Sequence, residues 1–95
     1  MPYKIDIYIG SDNNTRKIGR DYLEKLENWA SKVFPTGYTL LKGKGFYNGI
    51  SEDSVIVTVL SPENLPLKGE IEYLKRALGQ EAILLSKSYV DLEVF

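Results

Sequence analysis

The sequence predicts an α+β fold in which two amphipathic helices cover one face of a four-stranded antiparallel sheet. Three observations lead to this class. Residues 3–9 and 55–60 carry the alternating or continuous apolar pattern of strands. Residues 18–33 and 67–78 repeat apolar side chains at steps of three and four, as amphipathic helices do. Short runs of turn residues separate these segments, so a single domain covering residues 1–95 is expected.

The composition excludes several kinds of chemistry. The 95-residue chain contains no His and no Cys, so it has no Ser-His-Asp triad, imidazole zinc site, disulfide framework or iron–sulfur cluster. Its helix carboxylates fall on the polar faces, and Glu52 and Asp53, in a predicted turn, form a poor cage and at most a weak metal site. The sequence therefore favours a non-enzymatic protein, and no catalytic residue, metal site or cofactor is expected. The alternative is an enzyme that uses Pro2, freed as an N-terminal secondary amine, as a general base.

Charge and hydropathy set the expected partners and location. With 12 Lys+Arg and 13 Asp+Glu, the formal net charge is -1, which argues against a general nucleic-acid binder. No apolar run approaches the roughly 18–20 residues that span a bilayer. Residues 1–4 lead into no apolar stretch of the kind found in secretory signals. We therefore expect a cytoplasmic protein with no membrane partner.

The first half of the chain is expected to form a strand, a helix and a second strand. Residues 3–9 alternate apolar and polar side chains, and Asn14 or Thr15 is the expected cap of a helix of about five turns. Residues 38–47 alternate again and end at Asn48-Gly49, a tight-turn signal. The predicted buried face of the helix consists of Ile18, Tyr22, Leu26, Trp29 or Ala30, and Val33.

The second half repeats the pattern in a different order. A polar stretch, residues 51–54, precedes a strand over residues 55–60 that is apolar on both faces and therefore central in the sheet. The second helix ends at Gly79, a typical C-cap. Residues 82–86 predict a fourth strand, interrupted at 87–89 and resumed to residue 95. The resulting order βαββαβ is the ferredoxin-like split βαβ arrangement, with both helices on one face of the sheet.

The second face of such a sheet is left without a covering layer. It is expected to carry Tyr8, Ile56 and Leu60, together with either Tyr38 and Leu40 or Leu41 from the second strand. Monomers rarely expose a contiguous apolar patch beyond a few hundred Å². We therefore expect a homo-oligomer, a dimer or a trimer, that buries this face around Tyr8, Ile56 and Leu60. The alternative is an interaction module whose free face binds another protein.

One segment has the character of a ligand site. Lys42 and Lys44 alternate with two glycines and are followed by Phe46 and Tyr47. Lysines two apart on a strand point the same way and can share one anionic group, while glycine lets a ligand approach the backbone. With Tyr8 and Gln80 added, these residues predict a site for a small anionic, nucleotide-like ligand. The alternative is that the glycines only curve the strand and the lysines are solvated.

Short motifs along the chain resemble an uncharacterised family of small ferredoxin-like domains. They are Ile7-Tyr8-Ile9-Gly10, Trp29, the Phe34–Thr39 stretch, Gly43-Lys44-Gly45 and the Gly79–Ile83 stretch. The resemblance spans nearly the whole chain and implies the same fold, with no function assigned to the family.

A weaker similarity connects the second strand with the PII-like signalling proteins. It covers Gly37-Tyr38-Thr39 and Gly43-Lys44-Gly45. Members of that family are ferredoxin-like trimers that bind nucleotides in clefts between subunits, so the similarity implies ligand binding between subunits. The long loop that follows this strand in PII proteins is here reduced to the region of residues 48–55.

An RNA-binding module is the remaining alternative. Residues 7–12 and 42–46 resemble the two ribonucleoprotein motifs of RNA recognition modules. In that family the Lys/Gly/Phe motif lies on the third strand, whereas here it precedes the strand at 55–60 and falls on the second. Lys44 also stands where the family has an aromatic residue that stacks on a base.

Overall fold

The computed structural model describes all residues from 1 to 95 and contains six elements. They are β1 (Tyr3–Gly10), α1 (Arg20–Val33), β2 (Thr39–Tyr47), β3 (Ile50–Ser61), α2 (Lys68–Leu78) and β4 (Leu84–Tyr89). The strands form one antiparallel sheet in the order β2-β3-β1-β4. The predicted α+β class with four antiparallel strands and two helices is therefore confirmed. Neither helix has the length and apolar character needed to cross a bilayer.

The core lies between the helices and one face of the two central strands. β1 and β3 place directly opposed pairs of β-branched side chains on this face: Ile5 with Val59, Ile7 with Val57, and Ile9 with Val55. All six are buried. Because successive side chains of a strand point to opposite faces, this register also fixes which residues point away from the helices. The helices cover the apolar face with Leu26, Trp29, Ala30, Leu74 and Leu78.

The start of α1 differs from the prediction. The helix begins at Arg20 after Gly19, which provides no side-chain cap, so neither Asn14 nor Thr15 is the cap. Both residues instead donate their backbone N–H groups to Asp12 Oδ1, at 2.7 and 3.2 Å. This Asx-type turn, together with the positive φ of 59° at Arg16, holds the segment before the helix in a loop.

The hairpin between β2 and β3 has the predicted turn but a longer second strand than expected. Asn48 and Gly49 both have positive φ, 51° and 75°, which confirms the predicted tight turn and fits a type I′ geometry. β3 begins at Ile50, so the polar residues 51–54 belong to the strand and not to a loop. They were missed as strand residues because their composition is typical of turns, whereas their pairing with residues 43–46 of β2 decides their conformation.

The fourth strand also departs from the prediction. β4 runs without interruption through residues 87–89, and these pair with β1. Lys87 Nζ donates to Asn64 Oδ1 at 2.7 Å, and the Tyr89 ring packs 4.9 Å from that of Tyr3, so both side chains are held in strand geometry. After Tyr89 the only backbone hydrogen bond is from Val90 N–H to the Pro2 carbonyl. The strand predicted to resume to residue 95 is therefore absent from this chain.

Trp29 lies in the core, as its position on the helix predicts. Its side chain is 5% exposed and packs edge-on against Phe34, with ring centroids 5.8 Å apart. Its indole N–H is buried without a hydrogen-bond partner. The residue therefore contributes through its packed volume and not through a polar contact.

Replacing Trp29 with Ala is expected to lower the free energy of unfolding by about 3–5 kcal/mol, because a buried aromatic side chain leaves a cavity that the core cannot close. Urea denaturation followed by circular dichroism measures this change. Tyr73→Ala is the matched control, since Tyr73 lies on α2 and is 58% exposed; it should change the stability by about 0.5 kcal/mol or less. Equal losses for the two variants would contradict the assignment of Trp29 to the core.

Candidate functional site

The face of the sheet away from the helices carries a line of apolar side chains that crosses all four strands. Leu41 of β2 pairs with Ile56 of β3, Ile56 with Tyr8 of β1, and Tyr8 with Leu84 of β4. We call these four residues the apolar row. Leu41, Tyr8 and Leu84 are 52%, 42% and 69% exposed, so the chain itself does not cover the row. Of the two predicted alternatives for β2, Leu41 is the residue on this face.

Leu60 shares the face but stands apart from the row. It is two residues beyond Thr58, whose hydroxyl donates to the carboxylate of Asp6 on the neighbouring strand. This polar pair lies between Leu60 and the residues Tyr8 and Ile56. The expected patch of Tyr8, Ile56 and Leu60 is therefore divided, and its continuous part extends across the strands to Leu41 and Leu84.

Beyond the apolar row, toward the β2–β3 hairpin, the free face of the sheet carries three glycines and a serine. Gly43 pairs with Ser54, and Ser54 with Gly10, and the next position along β2 is Gly45 on the same face. We call Gly10, Gly43, Gly45 and Ser54 the glycine floor. A Cβ built on Gly43 would meet no atom within 4 Å. The backbone of this part of the sheet is thus open to close approach by another molecule.

Two oxygen atoms mark the end of the glycine floor. Glu52 Oε1 and Gln80 Oε1 each lie 3.3 Å from the position that a Cβ on Gly10 would occupy. Neither atom has a hydrogen-bond partner within the chain, and Glu52 forms no salt bridge. The missing side chain of Gly10 is what leaves room for them. Two unpaired acceptors therefore lie against the same point over Gly10, close enough together for one hydrogen-bond donor to reach both.

A network of hydrogen bonds holds these two side chains in place. Buried Ser11 donates its hydroxyl to Glu52 Oε2 at 3.1 Å, and its carbonyl accepts from Gln80 Nε2 at 2.7 Å. The second contact identifies the nitrogen of the Gln80 amide and so leaves Oε1 as the free acceptor. Tyr22 of α1 donates its hydroxyl to the Gly10 carbonyl, which fastens the helix to the same end of the sheet.

Glu52 also borders a small cleft beside the hairpin. The cleft has a volume of about 150 Å³ and is lined by Asn13, Arg16, Tyr47, Ile50 and Glu52. Its wall from the β1–α1 loop is tied to β3 at two points: Asp53 Oδ2 accepts from Ile18 N–H at 3.0 Å, and Asp53 N–H donates to the Arg16 carbonyl. The loop and the strand therefore hold a fixed relation around the Glu52 carboxylate.

The structure distributes the predicted site residues over both faces of β2. Lys42, Lys44 and Phe46 are paired with residues on the helix side of β3, which confirms that the two lysines point the same way. Tyr8 and Tyr47 point to the opposite, free face. Gln80 contributes its carboxamide at the end of the glycine floor. Within one subunit, the two lysines and Tyr8 therefore do not converge on a common ligand position.

Glu52 is the residue that sequence reasoning left out. It was assigned to a turn with Asp53 and considered only as a weak metal ligand. The missed signal is its register: once residues 51–54 are read as strand, Glu52 falls on the same face as Ile56, two pairs farther along β3. The approach of Gln80 and Ser11 depends on the tertiary fold and has no counterpart in the local sequence.

No family model and no curated protein sequence matches the chain. Solved structures do match it in fold. A phage SAM lyase in the apo state superposes with a TM-score of 0.64 at 16% sequence identity, covering 90% of this chain and 78% of the lyase chain. A phage SAM lyase in complex with S-methyl-5′-thioadenosine gives a TM-score of 0.57 at 14% identity, covering 92% and 80% of the two chains. At these identities the similarity is one of fold.

Tyr22 has an altered acidity because of its position at the site. Desolvation by burial raises its pKa to about 12 from 10.0, with smaller contributions from the negative charges of Asp12 and Glu52. The folded protein therefore keeps the phenol protonated over a pH range in which the unfolded chain ionises it. The stability that Tyr22 provides is complete below pH 10 and is lost as the pH rises toward 12.

The stability difference between the wild type and Tyr22→Phe should accordingly shrink by about 1 kcal/mol between pH 9.5 and pH 11.5, a value reduced for the partial exposure of the ring. Urea denaturation at several pH values measures the difference, and the subtraction removes the contributions of the other tyrosines and the lysines. A difference that stays constant across this range would contradict the described environment of the phenol.

Proposed function

We propose that this chain is a homo-oligomeric binding module for a small nucleoside-type ligand. The ligand lies on the glycine floor of the free face, with a donor group directed at Glu52 and Gln80. The element order and the strand order β2-β3-β1-β4 support the ferredoxin-like arrangement as the scaffold. Fold alone does not carry the proposal; the arrangement of this one site does.

The observation that carries it is the pair of unpaired acceptors above Gly10. A ligand that places an amino, hydroxyl or cationic group there gains hydrogen bonds to both Glu52 Oε1 and Gln80 Oε1. The nearest formal charge is negative, so the group at this end of the ligand is neutral or cationic. This modifies the expectation of an anionic ligand, because Lys42 and Lys44 lie on the other side of β2.

The rest of the floor suits a flat ring. Without side chains on Gly43 and Gly45, a planar base can approach the sheet beside Glu52, with Tyr8 on one side and Tyr47 on the other to pack against it. S-methyl-5′-thioadenosine is the first ligand to test, because a neighbour of the same fold has been solved with it. Its exocyclic amine and ribose hydroxyls are donors that fit the two acceptors.

Cleavage of S-adenosylmethionine is the second candidate function. The two solved structures described above are SAM lyases, and the sulfonium of S-adenosylmethionine is a cation attached to the same nucleoside. The carboxylate of Glu52 is the charge at this site that complements a sulfonium or an ammonium group. Conversion of S-adenosylmethionine to S-methyl-5′-thioadenosine, followed by liquid chromatography, distinguishes an enzyme from a binding module.

Two earlier alternatives receive less support from this geometry. An anion held by Lys42 and Lys44 would sit at the helix side of the sheet edge, away from Tyr8. An RNA-binding face would need the Lys/Gly/Phe stretch beside β1, yet it lies on β2, with β3 between them. A separate protein partner for the apolar row competes with self-association and is distinguished by the mass in solution.

Glu52→Gln should weaken binding of S-methyl-5′-thioadenosine by about 10–100-fold, because the variant keeps the shape of the side chain and removes the charge-assisted contact. Isothermal titration calorimetry measures the dissociation constant. Glu81→Gln is the matched control: Glu81 is exposed next to Gln80 and makes no hydrogen bond, so the affinity should not change.

The double variant Lys42→Met, Lys44→Met separates this proposal from the anionic alternative. It should retain binding of S-methyl-5′-thioadenosine, because neither lysine lies on the face that carries Glu52 and the glycine floor. If the protein instead binds ATP, and this binding is lost in the lysine variant but kept in Glu52→Gln, the ligand is anionic and the site at Glu52 is refuted.

Self-association is expected to bury the apolar row. Static light scattering at high micromolar concentration should give two or three times the chain mass of 10.8 kDa. Ile56→Asp should dissociate the oligomer, because it leaves an unpaired charge between Leu41 and Tyr8 in the contact. Asn28→Asp, on the exposed surface of α1, adds the same charge and should not. A wild-type mass of 10.8 kDa at this concentration contradicts the proposal.

A further inference from the structure

The last six residues have the composition of a strand but no strand partner. Val90, Leu92 and Val94 alternate with Asp91, Glu93 and Phe95. Residues 91–95 make no hydrogen bond with the rest of the chain. Val94 is 91% exposed and Phe95 fully exposed. An alternating segment with apolar side chains in water and an unpaired backbone is suited to joining the edge of a sheet.

The outer edge of β2 is a sheet edge that an additional strand can join. β2 is the terminal strand of the sheet, so the backbone groups on its outer side have no partner strand. Its two faces differ in chemistry near the middle of the strand. Lys42 and Lys44 lie on the helix side, while Leu41, Gly43 and Gly45 lie on the free face. A strand added here meets two positive charges on one face and two positions without side chains on the other.

We propose that residues 90–95 of one copy of the chain pair as an additional strand with the outer edge of β2 of a second copy. Asp91 and Glu93 are two residues apart, as Lys42 and Lys44 are, so one register places both acids opposite both lysines. The same register puts Leu92 opposite Gly43. Leu92 and Gly43 are the central residues of segments 91–93 and 42–44, so they face each other in both parallel and antiparallel pairing.

The shape of the two strands is complementary as well as their charge. A Cβ on Gly43 has nothing within 4 Å, so the space beside it is free to take the Leu92 side chain of the added strand. Val94 then falls opposite Gly45 in parallel pairing or Leu41 in antiparallel pairing. Both arrangements cover apolar side chains that a single chain leaves in water.

A second copy is the occupant because residues 91–95 of the same chain cannot pair with its own β2. They continue from β4, at the opposite edge of the sheet, and three strand spacings, about 14 Å, separate β4 from β2. Five extended residues span about 17 Å, so the crossing would use nearly all of them and leave none to form the pairing.

This inference rests on the proposed homo-oligomer and adds a contact between strand and sheet edge to the contact that buries the apolar row. Leu92 of the second copy would lie over Gly43, at the side of the glycine floor. The ligand position next to Glu52 would then have one apolar wall that a single subunit does not provide. Binding of the nucleoside and association of the chains would therefore strengthen each other.

A charge exchange tests the pairing. Lys42→Glu with Lys44→Glu, and separately Asp91→Lys with Glu93→Lys, should each weaken association at least about tenfold, because every attraction becomes a repulsion. The protein that combines all four changes should associate as the wild type does. Analytical ultracentrifugation measures the association constant. Lys25→Glu with Lys32→Glu, on the exposed surface of α1, is the control for the same change in net charge and should have no effect.

Gly43→Val provides a second test that does not alter charge. A Cβ at position 43 meets no atom within 4 Å, so the melting temperature of the monomer should be unchanged. The valine would occupy the space that Leu92 of the second copy fills, so association should fall. An oligomeric wild type that is insensitive to both charge reversals, or a combined variant that stays dissociated, overturns the inference while leaving the homo-oligomer intact. A monomeric wild type overturns the inference and the homo-oligomer together.

Discussion

The register between the two central strands is the constraint on which the rest of the molecule depends. Three opposed pairs of Ile and Val lock β1 to β3 and turn one face of the sheet toward the helices. A shift of one strand by one residue would turn its three core side chains to the free face, and at about 25 cal/mol for each Å² of apolar surface no alternative pairing is competitive. The positions of Tyr8, Ile56 and the glycine floor on the other face follow from this one register.

The candidate site depends on the same register through the absence of side chains on the free face. Where the core requires bulk on every second residue, the free face at the hairpin end has Gly10, Gly43 and Gly45. The carboxylate of Glu52 and the amide of Gln80 can enter the space above Gly10, and Ser11 and Tyr22 fix the backbone below them. The core and the proposed binding site thus lie on opposite faces of one sheet and can be altered separately.

Periodicity was sufficient to predict the two helices, the central strands and the side of the sheet that the apolar residues of β1 and β3 occupy. It failed where pairing with another strand overrides composition. Residues 51–54 are polar and yet form half of a hairpin, and this error concealed Glu52. The pattern of three and four begins at Ile18 and therefore predicts a helix start near residue 15, whereas α1 begins at Arg20. Asp12 and Asp53 hold the segment before it in a loop by contacts that the local periodicity does not show.

The core position of Trp29 also determines what the intrinsic fluorescence of this protein reports. It is the only tryptophan in the chain, it is shielded from water, and it lies on the helix side of the sheet, away from the glycine floor. Its fluorescence therefore follows the loss of the core during unfolding, with an emission shifted to the blue in the native state. A bound molecule on the other face leaves that signal nearly unchanged, so a tryptophan placed at Tyr47 would supply a separate optical probe for the ligand.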